Sequence, residues 1–205
     1  MIAVPRLHAV TDATILARAE FLEQVASLRP LGSALAIHVR DRAATGKVLS
    51  AEAHAVAEQL RGSDVRLIVN ARADIAAGVR GHGVQLGQGD LGSSDVRQHF
   101  PELAIGRSVH SLEEARAERQ ADWLFLGAIY PTASHPGLRG AGIELVQQVA
   151  AASIAPVIAI GGISADRAAL VREAGAWGVA AIRAIWNAPD SLTAARALLA
   201  PWEAA

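Results

Sequence analysis

The sequence predicts an α/β fold, a small (β/α)8 TIM barrel, on three observations. Short apolar, β-branched runs alternate with Ala-, Glu-, Arg- and Leu-rich stretches of helical spacing. Eight strand candidates and eight helical connections divide the 205 residues into units of roughly 25, compact for a βα repeat. Glycines gather after the later strands, at Gly87, Gly106, Gly127, Gly161 and Gly162. An open dinucleotide-binding sheet wants G-x-G-x-x-G directly after its first strand. Here that place reads Val10-Thr11-Asp12-Ala13. The barrel is therefore preferred, as one domain over residues 1–205.

The strands are expected, in order, at residues 7–10, 34–39, 65–69, 84–86, 103–105, 123–129, 156–160 and 178–182. Runs this short and apolar, bounded by turn residues, suit parallel strands buried on both faces. Helices are expected over 111–120 and 164–174, among others. Ser50, Ser111, Ser164 and Ser191 each precede a helical stretch and are the expected N-caps. Ser111-Leu-Glu-Glu114 also fits a capping box. Residues 131–142 form the one long Gly/Pro-rich connection, placed on the catalytic face of a barrel as a βα loop.

Composition narrows the chemistry. The chain is 52% hydrophobic with net charge −1, which gives a substantial core and no basic field for nucleic acid or anionic membranes. It has no cysteine, so disulfides, thiolate metal sites and cysteine nucleophiles are excluded. Lys47 is the single lysine among 19 basic residues, and hence the one candidate for a Schiff base. A spanning helix needs about 20 continuous apolar residues, more than any run here offers. A soluble, cytoplasmic protein is expected.

Two segments carry a phosphate-binding signal. The strand 156–160 runs into Gly161-Gly162 and then a helix start, and the strand at 178 runs into Ile182-Arg183. Glycines admit a ligand close to the backbone, and loops seven and eight of such barrels often share a phosphate. Gly161, Gly162, Ile182 and Arg183 are thus the expected phosphate cradle. Other strand ends carry His38 and Arg40, Asn70, Gln85, and Ser108 with His110, a convergence that suggests a pocket. Gly106-Arg-Ser-Val-His110 begins like a nucleophile elbow but lacks the final glycine, so serine hydrolysis is not favoured.

At family level the chain resembles the thiamin phosphate synthase/TenI group of small barrels along nearly its whole length. The matching runs are LHAVTD, HVRDR, LIVNARADIA, GVQLGQGDL, IGRSVHSLEEA, DWLFLGAIYPT and PVIAIGGI, in that order. The synthase branch, which couples hydroxymethylpyrimidine diphosphate to thiazole phosphate with magnesium, is matched at Arg40, Asn70, Asp90, Ser108 and Thr132. It is not matched where that branch has Q-L-R-E-K (here HVRDR), a magnesium-binding Asp (here Ala71) and a loop lysine (here His135). The TenI branch is similar at HVRDR, NAR, VQL and IGRSVHSLEEA, although its strand-six histidine is here Ala128.

The TenI resemblance implies a thiazole tautomerase, an isomerase that aromatises a carboxythiazole phosphate without metal or organic cofactor. On that expectation His135 and His38 are the proton-transfer candidates, since histidine switches roles near neutral pH. Arg40, Asn70, Gln85, Ser108 and Thr132 would line the substrate, a small phosphorylated thiazole. The alternatives are the magnesium-dependent synthase and an inactive phosphate-binding regulatory barrel. Homo-oligomerisation stays open, because Trp177, Trp186 and Trp202 could cover either a barrel face or an interface.

Overall fold

Side chains alternate strictly along each strand, and that alternation builds two cores. The computed structural model describes residues 3–132 and 139–203. Its strands are β1 (Leu7–Val10), β2 (Leu35–Val39), β3 (Arg66–Asn70), β4 (Gly83–Leu86), β5 (Ala104–Val109), β6 (Trp123–Gly127), β7 (Val157–Ile160) and β8 (Gly178–Ala181). All neighbours pair in parallel, and β1 pairs with β8 to close the barrel. The helices are α1 (Ala13–Leu16), α2 (Phe21–Ser27), α3 (Gly46–Leu60), α4 (Ala73–Gly78), α5 (Ser93–His99), α6 (Leu112–Ala117), α7 (Ile143–Ala152), α8 (Ala165–Glu173), α9 (Arg183–Trp186) and α10 (Ser191–Glu203).

Leu7, Ala9, Leu35, Ile37, Val39, Val84, Leu86, Leu124 and Leu126 point outward and pack with helix residues such as Val25, Val56 and Val149. The alternate positions, among them Val10, Ala36, Ile68, Ala104, Trp123, Phe125, Ile158 and Ala180, fill the barrel interior. His8, His38 and Gln85 share that inward phase and are buried. Gly106 is inward too, and a Cβ there would lie 2.3 Å from Trp123 Nε1, so the glycine makes room for the indole.

Some boundaries differ from expectation for identifiable reasons. Ala34 ends a 3-10 stretch (Arg29–Ala34), while β5 runs on to Val109 through the polar Arg107 and Ser108. Ser50 lies inside α3, whose N-cap is Thr45; the Thr45 hydroxyl accepts from Val48 N. Ser191 is the first residue of α10, and its hydroxyl donates to Ile185 O at 3.2 Å. Asp190 accepts from Thr193 N there instead. Ser111 caps α6 as expected, accepting from Glu114 N at 3.2 Å. Glu114 completes the turn by accepting from His110 N at 2.7 Å, one residue before the cap.

At the N-terminal end of the barrel, the Arg6 guanidinium stacks 3.4 Å from the Trp177 ring centroid and donates to Trp177 O. Trp177 Nε1 in turn donates to Val4 O at 3.0 Å. Trp186 is buried and donates to Val10 O, so it braces the other end of β1. Among the described residues no helix is long and apolar enough to cross a membrane.

Candidate active site at the barrel mouth

Because His38, Asn70, Gln85 and Ser108 sit at inward positions near strand C-termini, the fold brings them together at one end of the barrel. Two hydrogen-bonded chains run across this layer. In the first, Trp123 Nε1 donates to Gln85 Oε1 at 2.8 Å, and Gln85 Nε2 donates to Ser108 Oγ at 3.2 Å. In the second, His8 Nε2 lies 3.2 Å from Pro5 O, and His8 Nδ1 lies 2.8 Å from His38 Nε2. That chain ends with His38 Nδ1 at 3.2 Å from the Asn70 side-chain oxygen. Phe125 packs against both histidine rings, and Trp123 against His8.

Burial sets the charge of this layer. Both histidines are fully enclosed. Desolvation pushes the His38 imidazole down to about 3, against which its contact with Asn70 works only partly. His8 is held well below the ordinary histidine value, first by burial and then by its neighbour His38. Such rings stay neutral at physiological pH.

Arg40 follows two residues after His38 and therefore keeps the inward phase beyond the end of β2. Its backbone is fixed by Thr11: Arg40 N donates to Thr11 Oγ1 at 2.9 Å, and that hydroxyl donates to His38 O at 2.9 Å. Burial lowers the Arg40 guanidinium from its usual value, with Arg42 acting the same way and Asp12 and Asp41 opposing. It remains a partly buried cation at the mouth.

The four residues of the expected phosphate cradle lie where β7 and β8 give way to helices. Gly161 (φ 100) and Gly162 (φ 65) both occupy the left-handed region. A Cβ on Gly161 would sit 2.5 Å from Ala128 Cβ, and one on Gly162 would sit 2.7 Å from Pro131 O. Packing against the loop after β6 therefore requires both glycines. Gly162 O also accepts from Arg167 Nη1 at 2.6 Å, and Arg167 stacks over Tyr130. Ile182 is the N-cap of α9, and Arg183, exposed, is its first residue.

Of the remaining candidates, Thr132 is half-buried after β6, whereas His135 lies outside the described residues. Lys47 is exposed in the first turn of α3. The glycine-serine run at 106–108 is straight strand rather than a strand-turn-helix elbow, and His110 faces Glu114 at 3.5 Å. Sequence reasoning passed over His8, Thr11 and Trp123 as members of this layer. Their signal was the period-2 phase that His8 shares with Val10, and Trp123 with Phe125.

Magnesium, which the family implies, finds a poor donor set. Ala71 supplies no side-chain oxygen, and Asp90 spends one carboxylate oxygen on Gly87 N at 2.6 Å. Among the described residues no group of three or more His, Asp or Glu side chains could hold a metal ion. Magnesium usually keeps several waters and is held by one or two carboxylates together with substrate phosphates, and of the two family positions only Asp90 retains a carboxylate here.

A closed parallel barrel with Arg40, Asn70, Gln85 and Ser108 gathered at its C-terminal mouth defines a (β/α)8-barrel protein of the kind that carries its chemistry on that face. The chain belongs to the thiamine monophosphate synthase family, whose model matches residues 7–185. A thiamine-phosphate synthase of Azorhizobium caulinodans is 38% identical over 196 residues, covering 94% of this chain and 92% of that protein. A thiamine-phosphate synthase of Chlorobium luteolum is 40% identical over 173 residues, covering 82% of each. The solved thiamine phosphate pyrophosphorylase from Pyrococcus furiosus superposes with a TM-score of 0.82 at 31% identity, covering 97% of this chain and 96% of that one.

These relatives overturn the tautomerase expectation. Proteins 33–40% identical over most of this chain are named synthases, a transferase activity rather than an isomerase one. The TenI expectation rested on the runs HVRDR, NAR, VQL and IGRSVHSLEEA and on departures from the synthase pattern at Ala71 and His135, and these runs do not separate the two branches. His38 is enclosed beneath the mouth and bonded within the barrel.

Proposed function

We propose that the chain is a thiamin phosphate synthase, coupling hydroxymethylpyrimidine diphosphate with thiazole phosphate. The observation that carries this reading is the 38% identity to a thiamine-phosphate synthase across nearly the full length of both chains. The coupling forms a C–N bond from the thiazole ring nitrogen to the exocyclic methylene carbon of the pyrimidine. The C–O bond to the diphosphate breaks, and pyrophosphate leaves with the electron pair. That displacement asks no protein group to move a proton, which is compatible with the burial of His38.

On this reading Arg40 supplies fixed positive charge to a phosphate group. Asn70, Gln85, Ser108 and Thr132 orient the rings. Gly161, Gly162, Ile182 and Arg183 hold the thiazole phosphate through backbone N–H groups and one guanidinium. Positioning two substrates within reach is itself a large part of such catalysis.

The test is to incubate purified protein with both substrates, with and without added magnesium, and measure thiamin phosphate and released pyrophosphate together. Stoichiometric appearance of the two is expected. No product above the protein-free control in either condition would remove the reading.

A further inference from the structure

The chain of contacts from Pro5 to Asn70 is short of one proton. Three contacts run in series: Pro5 O to His8 Nε2, His8 Nδ1 to His38 Nε2, and His38 Nδ1 to the Asn70 amide. With a carbonyl oxygen at each end, all three need a proton from an imidazole nitrogen. Two neutral imidazoles carry two. Either the pair is charged or one end partner must donate.

Charge is disfavoured by the surroundings. Both rings have no solvent exposure, they pack against Phe125 and Trp123, and neither has a carboxylate among its hydrogen-bond partners in the described residues. Burial lowers both imidazoles far from neutral pH, in keeping with this. Pro5 O cannot donate, because a backbone carbonyl only accepts. His8 must therefore carry its proton on Nε2, which leaves Nδ1 bare. His38 must then carry its proton on Nε2, facing His8, which leaves its Nδ1 bare toward Asn70. The missing donor can come only from the Asn70 amide, turned half a rotation so that nitrogen and oxygen exchange places within the same volume.

We propose that His8 and His38 are positioning residues that lock the Asn70 amide with its NH2 on His38 Nδ1, leaving its carbonyl oxygen as the atom free to meet a ligand. Asn70 lies partly exposed at the C-terminal end of β3. Held in this way it turns its carbonyl to a hydrogen-bond donor, an amino or hydroxyl group, while one of its two N–H bonds is spent on His38. The role of the ligand rests on the proposed coupling. The proton order does not.

The test is long-range 1H–15N correlation on histidine-labelled protein at neutral pH, with assignments made through backbone connectivities. Both His8 and His38 are expected as Nε2–H tautomers, with Nδ1 nitrogens far downfield as for unprotonated imidazole. Both rings as Nδ1–H tautomers, or either as an imidazolium, would overturn the proposal. Asn70→Asp, which keeps the shape but cannot donate, is expected to move a proton onto His38 Nδ1. An unaltered His38 pattern in that variant would also count against it. Correct tautomers without any coupling activity would sink the proposed function and leave the positioning intact.

Discussion

Gln85 on β4 is bonded to Trp123 on β6 across the barrel interior, the indole N–H donating to the amide oxygen at 2.8 Å. The bond passes over Gly106 on the intervening strand, where a Cβ would lie 2.2 Å from that oxygen. The amide's other end is thereby aimed at Ser108. Gly106→Ala should force Trp123 and Gln85 apart, an overpacking that typically costs about 1–3 kcal/mol. Urea unfolding at neutral pH measures it, and a wild-type midpoint would show that the interior absorbs the methyl group.

Trp123→Phe keeps most of the ring volume but leaves Gln85 Oε1 buried without its donor. A loss of about 1–3 kcal/mol is expected from the unsatisfied acceptor. The amide is then free to turn, so a rise in KM at lower ring affinity should accompany the stability loss. Equilibrium unfolding and steady-state coupling kinetics on one preparation separate the two effects.

The neutral histidine pair makes stability depend on pH. Folded His38 titrates at about 3, and His8 also lies well below the ordinary value of 6.5 that both recover on unfolding. Between those limits the unfolded chain binds more protons, so stability rises with pH there. The His38 contribution is fully present above about 6.5 and is lost as pH falls toward 3, and that of His8 is lost in the same direction. Well inside that window His38 alone adds a slope of about 1.4 kcal/mol per pH unit. Urea titrations between pH 7 and 5 should show it, and a flat profile would mean that the pair is already charged in the fold.

Arg40→Ala removes a partly buried cation whose backbone is pinned by Thr11. Loss of a charge-assisted bond of about 1.5–3 kcal/mol corresponds to roughly 10- to 100-fold in kcat/KM for the coupling. The fold should be unaffected by circular dichroism. Unchanged kinetics would place the phosphate groups elsewhere.

Ala71 sits at φ 65, a left-handed conformation that an alanine adopts at a cost. Its N–H donates to Gln85 O at 2.9 Å, so the ladder between β3 and β4 holds it there. Ala71→Gly should relieve that strain and stabilise the protein by about 0.5–1 kcal/mol, less the added freedom of the unfolded chain. A rise in the unfolding midpoint is expected, and a fall would mean the entropy term dominates.

Much of this arrangement was legible in the chain because parallel strands buried on both faces leave continuous apolar runs. Leu7–Val10 was read to the residue for that reason. β5 was cut short because Arg107 and Ser108 break the apolar run while continuing the ladder. The caps at Ser50 and Ser191 failed because several side chains near each start can cap, and only backbone direction decides which one does. The meeting of His8 with His38 was hidden by register. His8 aligns with Ala36 and His38 with Val10, so the two rings meet on the diagonal, a stagger that no local pattern records. The functional reading leaned on runs shared by two branches of one family, and the burial of His38 could not be seen in sequence.

The seam between β1 and β8 also governs how the molecule comes into being. Arg6 and Trp177, joined beside that seam, are separated by 171 positions in the chain. Contacts this distant in sequence are the slowest to form. Until residues 178–181 are made, β1 and β7 would each present an open edge to any neighbouring strand. A nascent chain arrested before Gly178 should therefore be the aggregation-prone form of this protein, and the four residues of β8 are what remove both edges at once.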